Sequence, residues 1–276
     1  FLPPHLSINS TTGNGVGVPI FWALAPNYDL TFTPFAYSRQ GPFGMLEWRH
    51  QLASGAYAVR GAGIYQLDPK AFAVPPYGPG DRRLRGSLES WGQFHINERW
   101  KFGWDITAVS DKWFHTDYRM PTELLTQAFF REATSKVYLT GQSDTAFFDL
   151  TGYYFKGLYR SDIQRQQPLA APVLDYHKVV TLDPKVTAGV GGQVDIDVNA
   201  LHLRRELAAF QSTGLRTLDA PYGLYDICAV YNRANCFVRG IGGDYTRLTA
   251  SASWKRQFID PIGQVWTPFA FARLNG

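Results

Sequence analysis

No stretch of this 276-residue sequence strings together eighteen or more apolar residues, so none of it could cross a bilayer as a helix. A membrane barrel stays open, because barrel strands carry a far weaker hydropathy signal. Charge is also scarce. Lys and Arg number 27 against 23 Asp and Glu, an excess of +4 that is too small to neutralise a run of phosphates, so nucleic acid is not an expected partner. With charged residues at 18%, there is no acidic or basic tail of the kind that stays disordered. The two cysteines, Cys228 and Cys236, flank a turn-like stretch from Tyr231 to Asn235. They read as a candidate short-range disulfide stapling a hairpin or loop in an oxidising compartment. Such a small ring would gain at most roughly 3 kcal/mol. No charged segment followed by an apolar one opens the chain, and it starts at Phe1, so a processed protein or a piece of a longer one is expected.

Signatures of catalysis are equally thin. The six histidines (His5, His50, His95, His115, His177 and His202) are scattered, with no His-Glu-x-x-His pair, so no metal is expected. The glycine clusters 13–17, 189–192 and 240–243 do not open a helix after a buried strand, so no phosphate cradle and no cofactor are expected. No Gly-x-Ser-x-Gly elbow occurs. Acids do recur on strand-like runs: Asp29, Glu47, Glu89, Asp105, Asp149, Asp195 and Asp197. A glycosidase would use two of them across a sugar cleft. Polar–apolar alternation would place a wetted side chain at each of these positions anyway.

What the chain has in abundance is large rings and turn formers: 19 Phe, 15 Tyr, 8 Trp, 26 Gly and 17 Pro, counts that suit many strands joined by turns. Period-two patterning is pervasive. Leu30 and Phe32 oppose Asp29, Thr31 and Thr33. Phe102, Trp104, Ile106 and Ala108 oppose Lys101, Asp105 and Thr107. Val194, Ile196 and Val198 oppose Gln193, Asp195, Asp197 and Asn199, and Leu248, Ala250, Ala252 and Trp254 oppose Arg247, Thr249, Ser251 and Ser253. Each run has one apolar and one polar face. About 13 strands are predicted, near 4–12, 15–24, 28–38, 43–52, 56–66, 83–96, 100–110, 136–142, 146–157, 172–183, 188–200, 244–257 and 263–274. Several reach the roughly 9–11 residues a tilted strand needs to span a bilayer.

The connections are the sharper signal. Tight turns at 25–27, 53–55, 97–99, 143–145, 184–187 and 258–262 alternate mostly with long connections at 67–82, 111–135, 158–171 and 201–243. An antiparallel meander with one trimmed and one elaborated end gives this rhythm, as in an outer-membrane barrel. A soluble sandwich has no reason to keep it. One short helix is predicted inside 111–135, with Pro121 in its first turn and Leu124, Leu125, Ala128 and Phe129 on one face. Prolines mark the remaining anomaly. Pro4, Pro19, Pro34 and Pro268 fall in or at the ends of strand-like runs, where each removes a ladder donor.

The run Pro19-Ile20-Phe21-Trp22-Ala23-Leu24-Ala25-Pro26-Asn27-Tyr28-Asp29-Leu30-Thr31 resembles the opening of the barrel in the LptD family of lipopolysaccharide-assembly outer-membrane proteins. Phe1-Leu2-Pro3-Pro4, Glu47-Trp48-Arg49, Trp104-Asp105-Ile106-Thr107 and Ser110-Asp111 extend the likeness. So do Tyr153 to Leu158, Gln166-Gln167-Pro168 and Pro172 to Tyr176, which are similar to alphaproteobacterial-type members. The resemblance implies an all-β antiparallel transmembrane barrel, of which residues 1–276 would be roughly the N-terminal half. An upstream periplasmic jelly roll and the closing strands would be absent.

It further implies a non-enzymatic role: inserting lipopolysaccharide into the outer leaflet of the outer membrane through a seam between first and last strands. Pro4 and Pro19 would then weaken the lateral gate. Asp29, Glu89, Asp105, Asp195 and Asp197 would face a hydrated lumen occupied by the plug lipoprotein LptE. Lipopolysaccharide would arrive over the periplasmic Lpt bridge by way of the jelly roll, and outer-membrane lipid would surround the wall. The family's cysteine pattern, from the jelly roll to a vicinal pair late in the barrel, is not matched by Cys228 and Cys236. The rival readings are a porin-like solute channel and a soluble sugar-active β-sandwich enzyme.

Overall fold

The computed structural model describes residues 3–73, 80–118, 132–158, 162–207, 209–212 and 236–276. Fourteen strands form the main antiparallel sheet, divided between two compact units. The first unit (Phe1–Gln142 and Phe155–Asp162) holds β1 (His5–Asn9), β2 (Gly13–Gly17), β3 (Ile20–Ala25), β4 (Tyr28–Tyr37), β5 (Gly41–Leu52), β6 (Gly55–Tyr65), β7 (Leu84–His95), β8 (Trp100–Val109) and most of β9 (Glu132–Ser143). Their order is β1-β2-β4-β5-β6-β7-β8-β9, with β3 also beside β4. The second unit (Ser143–Tyr154 and Ile163–Gly276) holds most of β10 (Ala146–Gly157), then β11 (Leu169–Leu182), β12 (Gly192–Arg205), β13 (Ala209–Ser212), β14 (Cys236–Gly240), β15 (Gly243–Lys255), β16 (Phe258–Ile259), β17 (Val265–Trp266) and β18 (Phe269–Asn275). Here the order is β10-β11-β12-β15-β18, while β13–β14 and β16–β17 are separate hairpins. No helix among the described residues is long and apolar enough to cross a membrane, a statement that leaves strands untouched.

The register explains the faces. In the first unit Asp29 lies opposite Arg49, Glu47 opposite Arg60, Arg60 opposite Glu89, and Asp105 opposite Lys136. On the other face Leu30 meets Trp48, Phe32 meets Leu46, and Leu88 meets Ala108. Because side chains alternate with a period of two, one register sorts all of them at once. The apolar face is bare: Leu46, Leu88, Ile106 and Val137 are each exposed, Leu88 at 54%. Toward the short turns that face carries a belt of rings. Tyr28 stacks on Trp48 at 5.3 Å and Phe94 on Trp104 at 5.8 Å. The indole N–H of Trp48 donates to the Tyr57 hydroxyl at 3.2 Å, and that of Trp104 to Ser90 Oγ at 2.8 Å. Amphipathic rings with satisfied donors are what a membrane–water interface selects.

At the opposite, long-connection end, the polar face gives way to a small core of Tyr37, Phe43, Met45, Ile64, Phe72, Phe114 and Tyr118. A 3-10 turn at Pro69–Phe72 and the single-turn α1 (Phe114–Asp117) bring its last members down from the connections.

Several elements differ from the sequence-based expectation. The strand predicted over 15–24 is broken into β2 and β3 at Val18–Pro19, and the one over 4–12 shrinks to His5–Asn9. The 184–187 turn is part of a longer connection, 183–191, in which Ala188, Gly189 and Gly191 take positive φ. The 258–262 turn is the start of the β16–β17 hairpin. The helix expected at Pro121, and Cys228, lie outside the described residues; Cys236 opens β14 opposite Ser212.

The two faces make a direct prediction for β15, where Ala252 and Ser253 are neighbours of opposite orientation. In the full-length protein in a bilayer, Ala252→Lys should destabilise by about 2–4 kcal/mol if it sits near the midplane, and Ser253→Lys by much less. Denaturant unfolding from liposomes would measure both.

Candidate functional site: the polar face and the broken first strands

Charges on the polar face of the first unit form a ladder rather than isolated pairs. Arg49 donates to both Asp29 carboxylate oxygens, at 2.9 and 3.1 Å. Arg60 lies between two acids, 2.7 Å from Glu47 Oε2 and 3.3 Å from Glu89 Oε2, with its guanidinium 5.3 Å from the Trp91 ring centroid. Beyond it, Lys136 sits over Tyr138, whose hydroxyl donates to Gln93 Oε1 at 3.0 Å. A cleft of about 1030 Å³ opens beside the ladder near the short turns; Asp29, Arg49, Trp91, Asp105, Lys136 and Tyr138 line it. In the second unit, Asp195 accepts from Gln193 at 2.6 Å and lies 3.4 Å from Lys255 Nζ, and His177 Nδ1 lies 2.7 Å from Asp197.

The five acids singled out in the sequence therefore all lie on polar strand faces. Asp29 and Glu89 belong to one ladder, Asp105 lies across from Lys136, and Asp195 and Asp197 stand on β12 with partners of their own. Sequence reasoning missed the cations that organise them, Arg49, Arg60 and Lys136. Their signal was present in principle, because folding β4 onto β5 about residues 38–40 brings Arg49 to Asp29. Among the described residues no group of three or more His, Cys, Asp or Glu side chains is arranged to hold a metal.

Where the β8–β9 connection folds onto the polar face, Arg85 is fully buried. It grips Asp111 through two hydrogen bonds (2.8 and 2.7 Å), Asp117 through a third (2.8 Å), and Gln66 through a fourth (3.1 Å). The rings of Phe72, Phe114 and Tyr118 surround its guanidinium at 4.9, 5.8 and 5.5 Å. A charge this deep is tolerable only because its donors are answered. Burial opposes ionisation of Asp111, yet Arg85, the Ser110 hydroxyl and the Trp113 N–H together hold its carboxyl below the ordinary range. Burial prevails at Asp117 and raises it. Next to this cluster, burial pushes the His115 imidazole down to about 4; Asp111 opposes that shift and Arg60 adds to it. His115 Nε2 lies 3.5 Å from Glu89 Oε1.

The prolines occupy the seam between β1, β2, β3 and β4. Val18 donates to the Pro34 carbonyl at 3.2 Å, so Val18 points its N–H at β4. Pro34 has no N–H to return, and that pair keeps one bond of two. By alternation, Gly17 and Pro19 turn toward β1. His5 pairs with Gly17. Two residues further along the same register, Pro3 would oppose Pro19, and neither can donate. The β1–β2 ladder stops at His5, with Pro4 just before the strand; on the same alternation Pro4 turns its nitrogen to the side away from β2.

A family model described as LPS transport system D, LptD, matches residues 83–275. The chain belongs to the LptD family. The match begins downstream of the Pro19–Thr31 run, so it stands independently of that motif. The LPS-assembly protein LptD of Hahella chejuensis is 26% identical over 212 residues, which cover 76% of this chain and 24% of that protein. Those of Shewanella sp. strain MR-4 (35% over 124 residues; 43% and 14%) and Pseudomonas aeruginosa strain UCBPP-PA14 (32% over 117 residues; 42% and 12%) are also similar. The chain thus spans about a quarter or less of the length of these curated relatives. As an LptD-family segment built of amphipathic antiparallel strands, it is part of an outer-membrane β-barrel of a Gram-negative bacterium.

Two predictions follow from the ladder and the buried connection, both for the full-length LptD-family protein. Arg60→Met should destabilise by about 1–3 kcal/mol, because Glu47 and Glu89 lose a shared charged donor. Adding Glu47→Gln should recover part of the loss, a coupling that a double-mutant cycle would read. A histidine held neutral in the fold stabilises it fully above its ordinary value of 6.5. That contribution declines as pH falls from about 6.5 toward 4, where the unfolded segment takes up a proton that the packed one does not. Amide exchange across 110–118 should therefore lose roughly 1–3 kcal/mol of protection over that window, and His115→Gln should flatten the dependence.

Proposed function

We propose that this segment forms part of the barrel wall through which lipopolysaccharide enters the outer leaflet, and that its first strands contribute the side that parts. The observation that carries this reading is the coincidence of missing donors. Pro19 lies in the break between β2 and β3, Pro34 lies opposite it on β4, and Pro3 and Pro4 lie at the point where the β1–β2 ladder stops. In hydrocarbon an unmade backbone bond costs several kcal/mol, so a cluster of missing donors on neighbouring strands marks a place where separation has a use. Pro4 and Pro19 are the gate residues. Lipid chains pass laterally between strands while the saccharide moves along the hydrated inner face.

On this reading the polar face, with Asp29, Glu89, Asp105, Asp195 and Asp197, lines the lumen and meets the plug lipoprotein LptE. The alternating exposed apolar residues meet outer-membrane lipid. Lipopolysaccharide reaches the barrel from the periplasmic Lpt bridge. The segment moves its cargo without making or breaking a covalent bond, so its role is transport rather than catalysis. The paired acids support this, since Asp29, Glu89, Asp195 and Asp197 are each engaged by a cation, histidine or amide.

Restoring donors tests the gate. In the full-length protein, Pro4→Ala with Pro19→Ala would add up to two ladder bonds at roughly 0.5–1.5 kcal/mol each. Surface delivery of newly made lipopolysaccharide should slow by about tenfold at wild-type protein levels. Unchanged delivery would show that the seam lies elsewhere.

A further inference from the structure

The β16–β17 hairpin does nothing for the sheet that contains β15 and β18, yet it is a well-built structure. Asp260 is its hub. One carboxylate oxygen accepts from the backbone N–H of Ile262 at 3.0 Å and of Gln264 at 2.9 Å, and the other accepts from the Trp266 indole at 3.0 Å. Asp260 N–H donates to the Gln264 carbonyl at 2.9 Å, and Gly263, at φ +88°, closes the turn. This scaffold holds out an apolar surface. Phe258, Ile259, Ile262, Val265 and Trp266 are all exposed, Ile262 at 78%. A loop that only joined two strands would be expected to be polar.

The hairpin follows directly in sequence on an apolar strand face. On β15 and β18 the lipid-directed face runs through Leu248, Ala250, Ala252 and Trp254, with Ala270, Ala272 and Leu274 opposite. Trp254 ends that face at the hairpin's base, its indole donating to the Gly191 carbonyl at 2.9 Å. Arg256, the next residue but one, donates to the carbonyls of Gly189 and Val190 at 2.5 and 2.6 Å, and so ties the 183–191 connection beside the hairpin. That connection presents Val186 and Val190, again exposed.

We infer that the 258–266 hairpin is a membrane-interface anchor, its apolar tip and Trp266 ring lying in the headgroup–acyl boundary of the leaflet on the short-turn side. The chemistry fits that boundary. The indole and turn N–H groups, which would be costly to bring near hydrocarbon, are already satisfied by Asp260, whose exposed carboxylate stays with water and headgroups. Isoleucine, valine and phenylalanine supply the apolar contact, and tryptophan is the ring that favours this depth. The hairpin would fix the height of β15 and β18 in the bilayer. The inference rests on reading these strands as spanning the outer membrane.

An environment-sensitive fluorescent amino acid at Ile262 tests it, in the full-length protein reconstituted into phosphatidylethanolamine–phosphatidylglycerol vesicles. A second sample carries the same probe at Ala252, on the lipid-directed face of β15, and is read with nitroxide lipids labelled along the acyl chain. Nitroxide lipids labelled near the headgroup should quench the Ile262 probe by about threefold, with iodide in solution having little effect. Strong iodide quenching with no nitroxide effect would overturn the anchor and make the hairpin a water-exposed turn. Protection from both quenchers would also overturn it, in favour of a covering protein partner. If the Ala252 probe escapes nitroxide quenching as well, the membrane-spanning reading fails and the anchor falls with it. A nitroxide effect at Ala252 alone rejects the anchor and leaves the barrel standing.

Discussion

Everything in this chain depends on the pairing of backbone groups within the sheet. A strand whose outward side chains face hydrocarbon has no water to answer a stray N–H or C=O, so its donors must find partners on the neighbouring strands. That demand enforces long antiparallel registers such as Gln193–Lys255 through Arg205–Gly243 between β12 and β15. Once a register is set, the alternation of side chains follows without further choice. Leu88 lies on the apolar face and Glu89 on the polar one because they are neighbours, and every other assignment on β7 is then decided. The proline-marked break around Val18–Pro19 is one of several departures from this pairing rule; the register also shifts between Ala23 and Ala25, between Thr151 and Tyr153, and between Ala170 and Val173.

The polar face solves a different problem. Its acids and bases alternate across strands, Asp29 to Arg49, Glu47 to Arg60 to Glu89, so that each charge is answered locally while water stays nearby. Pairs of this kind contribute modestly to stability. Their larger effect is to keep a hydrated, mixed-charge wall instead of one that would collapse on itself. Around Arg85 the balance changes. There the connection 110–118 has been drawn against the wall, the ion pairs are desolvated, and the cluster holds only because four hydrogen bonds and three rings surround one guanidinium. A connection pinned this way covers the long-connection end of the polar face of its unit without contributing a strand.

Much of this was legible beforehand, for reasons that can be traced to residues. Runs such as Val194 to Asn199 could hardly be anything but half-wetted strands, and the structure pairs them as such. The alternation of short and long connections carried the meander topology, because antiparallel neighbours joined at one end by two or three residues leave little freedom. What could not be read was where a strand stops for tertiary reasons. Residues 15–24 look continuous, and only the pairing of both halves with β4 shows that Val18–Pro19 interrupts one ladder rather than separating two elements. Likewise 258–262 had the composition of a turn, and its hub became visible only when Asp260 was seen to collect three donors.

By itself, then, the sequence determined which residues alternate, how many crossings they make, and that the connections differ between the two ends. Those properties depend on spacing along one chain. Tertiary structure decided which charges meet, that Arg85 is buried while Arg49 is half-exposed, and which absent proline donors fall opposite one another. Each of these is a relation between residues on different strands, and such a relation has no value until the register that joins them exists.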